Sequence, residues 1–146
     1  MRARVLIADA DPLLLAAYEA FLIAEGFAVT TARTGLGCLA ELRRQPPNLL
    51  VIDPELPWGS GLGVLALMRD DPTVPRVPVL ILSNHSPALL AEVRPPLRGY
   101  ALLLKPVAPS VVGRLARTMS DWTRDWGEMG SVAARSVGGA PAAAAG

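Results

Sequence analysis

In its 146 residues the chain has one cysteine, one histidine and one lysine. The lone thiol, Cys38, excludes a disulfide framework, so a reducing cytoplasm is the expected location. Cys38 lies among apolar helix positions and is expected to be a small core residue. No apolar run reaches the ~18 residues of a membrane span, because Glu19, Glu25 and the arginines interrupt each candidate. The chain opens directly on a strand pattern with no signal-peptide pattern, and no membrane partner is expected. Neither sign of charge is in excess: the net charge is +1, with no basic run. That argues against nucleic acid as a direct partner. Lysine is scarce although arginine is not: thirteen arginines accompany Lys105 alone. A lysine offers a compact point charge on a flexible stem where arginine offers a rigid fork, so its single use is a pointer to a site.

What is abundant is apolar and alternates with turn signals; 51% of the residues are hydrophobic, enough for a one-domain core. Val5 to Ala8 reads as a strand ending at Asp9-Ala10-Asp11. Asp11 is placed as an N-cap before Pro12, and Leu14, Leu15, Tyr18, Phe21 and Leu22 recur at helical spacing up to Gly26. Phe27 to Ala32 is a second strand. Thr34 caps a helix through Leu36, Leu39 and Leu42 to Arg44. Asn48 to Asp53 is an apolar run between Pro46-Pro47 and Pro54, the pattern of a strand buried on both faces. A third helix follows through Leu62, Leu65 and Met68. Val77 to Leu82 is a fourth strand, with Pro78 near its start, where a missing N–H is tolerable. Ser86-Pro87 opens a fourth helix that Pro95-Pro96 stops. Tyr100 to Leu104 is a fifth strand, and Ala108-Pro109 starts a fifth helix through Val111, Val112, Leu115 and Met119. The domain is expected to span 1–122. Residues 123–146 are expected to be a helix end and a disordered, Ala/Gly-rich tail.

Five β-α units predict an α/β fold, a doubly wound parallel sheet of the flavodoxin-like kind with strand order 2-1-3-4-5. Four strands then end in polar residues at one edge: Asp9, Asp53, Ser83 and Lys105. Alone, Asp53 could simply start the Asp-Pro turn. Together the four are what a carboxyl–phosphoryl site needs. Asp53 supplies a nucleophilic oxygen, Asp9 helps hold a hard divalent cation such as Mg2+, Ser83 donates a hydroxyl, and Lys105 adds a point charge.

These residues carry a resemblance. Over residues 3 to 122 the chain resembles the receiver domain of bacterial two-component response regulators. Val5 to Leu14 looks like that family's first strand and acidic cluster. Leu50-Val51-Ile52-Asp53, Leu56-Pro57 and Gly61 look like its phosphoacceptor motif. Val79 to Ser83 matches the strand ending in a hydroxyl residue, and Leu104-Lys105-Pro106 the lysine-proline pair, typically cis. The resemblance implies phosphorelay signalling and no enzyme. A histidine kinase or phosphotransfer protein would phosphorylate Asp53 with Mg2+ present. Ser83 would then move toward the phosphate and bias the fourth-helix, fifth-strand and fifth-helix surface, which would contact a downstream protein or a second copy. No output segment follows the fifth helix, so output by protein contact is expected.

The chain departs from the family at several points. Ala10 replaces the second acid, the family's direct metal ligand. Glu55 could reach the vacated position and complete a metal set of Asp9, Asp53 and Glu55, with Asp11, the expected helix cap, as the other carboxylate that could help; the alternatives for Glu55 are a solvated loop residue or a partner for Lys105. Asn84 stands where the family is small, and either narrows the site or hydrogen-bonds a phosphate. His85 is either a solvated loop residue or a lining of the water route. Leu102 replaces an aromatic reporter, with Tyr100 on the same strand face. Leu115, Met119, Trp122, Trp126 and Met129 form a stripe, read either as packing on the domain or as an association surface. Two other functions are weighed. One is a pseudo-receiver that switches by binding without phosphorylation, favoured by Ala10. The other is a haloacid-dehalogenase-like phosphatase, for which Asp9-Ala10-Asp11 is a start that Pro12 and Leu13 do not continue. The glycines at 35, 37, 59, 61 and 63 make no dinucleotide fingerprint.

Overall fold

A computed structural model of the chain describes residues 2–85 and 100–121. The expected fourth helix, Trp122, Trp126, Met129 and the tail lie outside the described residues.

The elements run β1 (Arg4–Ala8), α1 (Pro12–Ala24), β2 (Ala28–Ala32), α2 (Gly35–Arg44), β3 (Leu49–Ile52), α3 (Gly61–Asp70), β4 (Val79–Ser83) and β5 (Tyr100–Leu104), and a further helix covers 109–121. All strands pair in parallel, in the order β2-β1-β3-β4-β5. Strand parity sorts the core into two layers. Leu6, Leu50, Ile52, Val79 and Ile81 meet Leu39, Leu42, Val64, Leu65 and Met68 of α2 and α3 on one face. Val5, Ile7, Leu49, Val51, Leu80, Leu82 and Leu103 meet Leu15, Tyr18 and Leu22 of α1, and Val112, Ala116 and Met119 of helix 109–121, on the other. Central strands covered on both sides read as unbroken apolar runs for this reason. Tyr100 and Leu102 share a face and pack against the α2–α3 layer.

Local chemistry sets the element ends. The Asp11 carboxylate accepts from the N–H groups of Leu13 and Leu14 and starts α1. Gly26 turns the chain with φ +97°. Thr34 caps α2 through the Gly37 N–H. Within α2, burial differs sharply from one residue to another. Cys38 is fully buried, as expected, but Leu36 is 62% exposed. Leu36 belongs to the first turn of α2, and its N–H donates to the carbonyl of Trp58. Strand β4 begins at Val79, one residue past Pro78, and reaches Ser83. Proline has no N–H for the ladder, but the Pro78 carbonyl still accepts from Leu50 N–H at 2.9 Å.

The segment between β3 and α3 is held tightly. Gly35 and Leu36 of α2 donate to the carbonyls of Pro57 and Trp58 at 2.9 and 2.8 Å. Trp58 and Ser60 both have positive φ, 53° and 51°, conformations that non-glycine residues rarely adopt. Ser60 Oγ accepts from Gly63 N–H and caps α3. The helix N-terminus of α2 thus finds its partners in the loop that follows Asp53.

Candidate functional site

Four of the candidate side chains, Asp9, Asp53, Ser83 and Lys105, sit at the carboxyl ends of strands. The Asp9 N–H donates to Ala32 and the Asp53 N–H to Ala8, extending the ladders by one bond past β1 and β3. The Lys105 N–H donates to the Ser83 carbonyl at 2.8 Å, fixing Lys105 beside the end of β4. The Lys105–Pro106 peptide is cis.

Sheet order therefore brings Asp9, Asp53, Ser83 and Lys105 to one edge. Lys105 Nζ donates to Asp9 Oδ2 and to Asp53 Oδ2, each at 2.6 Å. The side chains of the three are only 5–10% exposed. The other oxygen of each carboxylate accepts a backbone N–H from two residues onward. Asp11 N–H meets Asp9 Oδ1 at 2.9 Å, and Glu55 N–H meets Asp53 Oδ1 at 2.7 Å. Two carboxylates and one ammonium leave a trio with one net negative charge. Burial pushes the Lys105 pKa down, but the hydrogen bonds that the ammonium donates to Asp53 and Asp9, and their charges, outweigh it and hold the pKa above the ordinary lysine value.

Ser83 is 2% exposed, and its Oγ accepts from the His85 N–H at 3.0 Å. Asn84 is exposed. Glu55 does not join the two aspartates. Its carboxylate meets His85 Nε2 at 2.6 Å, with both side chains about half exposed. Ala10 is exposed and offers no side-chain oxygen. Among the described residues, no group of three acid, histidine or cysteine side chains is placed to hold a metal. Asp9 and Asp53 are oxygen donors of the kind that suits Mg2+, an ion that keeps several waters, but no third carboxylate joins them.

Tyr18 also belongs to this neighbourhood. Its helical spacing marks it as core, and it is 3% exposed. Its hydroxyl donates to the Val107 carbonyl at 2.6 Å, tying α1 to the segment after Lys105. Burial pushes its phenol pKa up, the Lys105 charge opposes this, and the Asp9 charge adds to it. The signal was available: a tyrosine hydroxyl in a buried stripe must find a partner. Tyr18→Phe is expected to lower the unfolding free energy by about 1 kcal/mol, with the fold retained. Urea denaturation with circular dichroism checks this.

Cys38 is buried, and burial pushes its thiol up to about 12, so it is a packing residue without thiolate chemistry. No helix among the described residues is long and apolar enough to cross a membrane.

Known proteins are similar to this chain in sequence and in fold. The transcriptional regulatory protein KdpE of Mycobacterium tuberculosis is 38% identical over 82 residues, 56% of this chain and 35% of that protein. The response regulator PleD of Caulobacter vibrioides is 34% identical over 83 residues, 57% of this chain and 18% of that protein. The matched stretch thus spans about a third or less of these relatives. A CheY-like receiver domain from Methanospirillum hungatei superposes with a TM-score of 0.73 at 21% identity, covering 86% of this chain and 99% of that one. A Vibrio cholerae chemotaxis response regulator, CheY4, superposes with a TM-score of 0.70 at 23% identity, over 82% and 99% of the two chains. These two establish the flavodoxin-like fold. Residues 5–115 match the response regulator receiver domain, and the chain belongs to that family of two-component signalling modules.

Proposed function

We propose that Asp53 accepts a phosphoryl group from a histidine kinase or phosphotransfer protein and that the chain signals by protein contact. The observation that carries this reading is the convergence of Asp9, Asp53 and Lys105 on shared 2.6 Å contacts, with Ser83 buried at the next strand end. An Asp53 carboxylate oxygen attacks phosphorus; the bond to the donor's imidazole nitrogen breaks, and that nitrogen keeps the electron pair. The product is an acyl phosphate. Lys105 is placed to follow the negative charge from carboxylate to phosphoryl, and the Ser83 hydroxyl to donate to a phosphoryl oxygen. Asp9 and Asp53 would hold Mg2+, which screens the repulsion between carboxylate and donor. Arrival of a dianionic group beside Lys105 is a local charge change, and receiver signalling reads such a change as a shift between two arrangements.

A second reading is favoured by Ala10 and by the turn of Glu55 toward His85. It is a pseudo-receiver, with the same fold, that is switched by a binding partner. One experiment separates the two. The full chain is incubated with acetyl phosphate, with and without Mg2+, and intact mass is recorded. The receiver reading expects a phosphoryl adduct that requires Mg2+ and is absent in Asp53→Asn. Ala10→Asp is expected to lower the Mg2+ concentration needed at least several-fold. Absence of any adduct at high donor concentration, in wild type and Ala10→Asp alike, defeats phosphorylation and leaves the pseudo-receiver.

A further inference from the structure

The phosphoacceptor reading leaves Glu55 and His85 without a role, although their side chains meet at 2.6 Å. They belong to different loops. Glu55 follows β3 and His85 follows β4, and the two strands are neighbours in the sheet. Each of these residues is also bonded by its own backbone to a site side chain. Glu55 N–H donates to Asp53 Oδ1, and His85 N–H donates to Ser83 Oγ. The side-chain pair closes these into one run of contacts: Asp53 Oδ1 to Glu55, Glu55 Oε1 to His85 Nε2, and His85 N–H to Ser83 Oγ.

The direction of the last bond matters. A serine hydroxyl has one proton to give and two lone pairs to offer. His85 N–H fills a lone pair, which leaves the proton free to be donated. An acceptor in front of Ser83 is what a phosphoryl oxygen provides. The ring nitrogen that faces the carboxylate is Nε2, and an N–H there donates to Glu55 Oε1. Both side chains are about half exposed, so the pair adds little to global stability. An exposed pair that contributes little to folding but spans the two site loops is suited to holding a geometry.

We propose that Glu55 and His85 are positioning residues: their side-chain contact ties the two loops together and holds the Ser83 hydroxyl as a donor toward a phosphoryl group on Asp53. This inference rests on the phosphoacceptor reading. It also gives Glu55 a task other than ligating a metal.

The test uses the full chain with beryllofluoride, a phosphoryl mimic, in the presence of Mg2+. Binding is followed by fluorine NMR, and thermal midpoints are measured alongside. His85→Ala and Glu55→Gln are each expected to weaken beryllofluoride on the order of fivefold, the worth of about one hydrogen bond, with midpoints unchanged. His85→Lys, which keeps a side-chain donor facing Glu55, is expected to bind as wild type does. In the Ser83→Ala background, His85→Ala is expected to cost nothing more, because the pair acts through that hydroxyl. Wild-type affinity in both His85→Ala and Glu55→Gln overturns the proposal. So does a loss in His85→Lys equal to that in His85→Ala, or a further loss on top of Ser83→Ala. Failure of wild type to bind beryllofluoride at all overturns the phosphoacceptor reading and this proposal with it, a result distinct from equal binding by wild type and variants.

Discussion

Gly61→Ala is expected to cost more than about 3 kcal/mol of stability, or to prevent folding. A Cβ on Gly61 would lie 2.0 Å from the Asp53 carbonyl oxygen, 2.7 Å from Pro54 Cα and 2.8 Å from the Asp53 carbonyl carbon. All three are backbone atoms, so no rotamer change relieves the clash. The chain can only separate α3 from the end of β3. That movement would break the bond from Gly61 N–H to the Pro54 carbonyl and pull on Asp53 itself. Gly63→Ala is the control. Its Cβ would meet Ser60 Oγ at 3.2 Å, a side chain that can adjust. There the helix-propensity gain of up to ~1 kcal/mol competes with a mild contact. Denaturant unfolding of both variants decides the matter; equal stabilities would show that the loop is not packed as described.

Lys105→Met is expected to lose about 3 kcal/mol of stability at pH 8 and distinctly less at pH 5. Removing the ammonium leaves the Asp9 and Asp53 carboxylates side by side and nearly buried, with no counter-charge between them. Two such groups raise one another's proton affinity. A carboxyl whose folded pKa lies above its unfolded value contributes stability below the unfolded pKa and loses it as pH rises. The variant is therefore weakest in mild base and recovers on acidification. Wild type behaves differently over that range. Its lysine pKa is raised by folding, so that contribution is fully present below the ordinary lysine value and is lost only in strong base. Urea midpoints at pH 5 and pH 8 measure the gap; a gap that does not narrow at pH 5 would contradict the pairing. The same variant is expected to lose retention of beryllofluoride, since the charge meeting the phosphoryl group is gone.

Much of this site was legible in the chain because strand ends are marked twice, by a change from apolar to polar residues and by the turn that follows. Asp53 closes Leu50-Val51-Ile52, Ser83 closes Leu80-Ile81-Leu82, and Lys105 stands before Pro106; parallel pairing then forces these ends onto one edge. Burial of Cys38 and capping by Asp11 followed from local chemistry alone. Contacts between loops were not legible. The pairing of Glu55 with His85 depends on how two loops bend, which no periodicity records. Leu36 shows a related limit. Its spacing to Leu39 and Leu42 suggests a core position, but the first turn of α2 is used to bind the Pro57 and Trp58 carbonyls, and that orientation leaves Leu36 outside. Trp58 and Ser60 adopt left-handed backbone that their residue types would not suggest. The Tyr18 bond to Val107 spans 89 residues and depends on α1 and the segment after β5 sharing one core layer.

The scarcity of lysine has a practical consequence for spectroscopy. Because Lys105 is the only lysine, reductive methylation with labelled formaldehyde can attach only one side-chain probe, and methylation keeps the positive charge. That probe would sit between Asp9 and Asp53, 2.6 Å from each. Its resonance would report on the interior of the site without assignment of the rest of the chain.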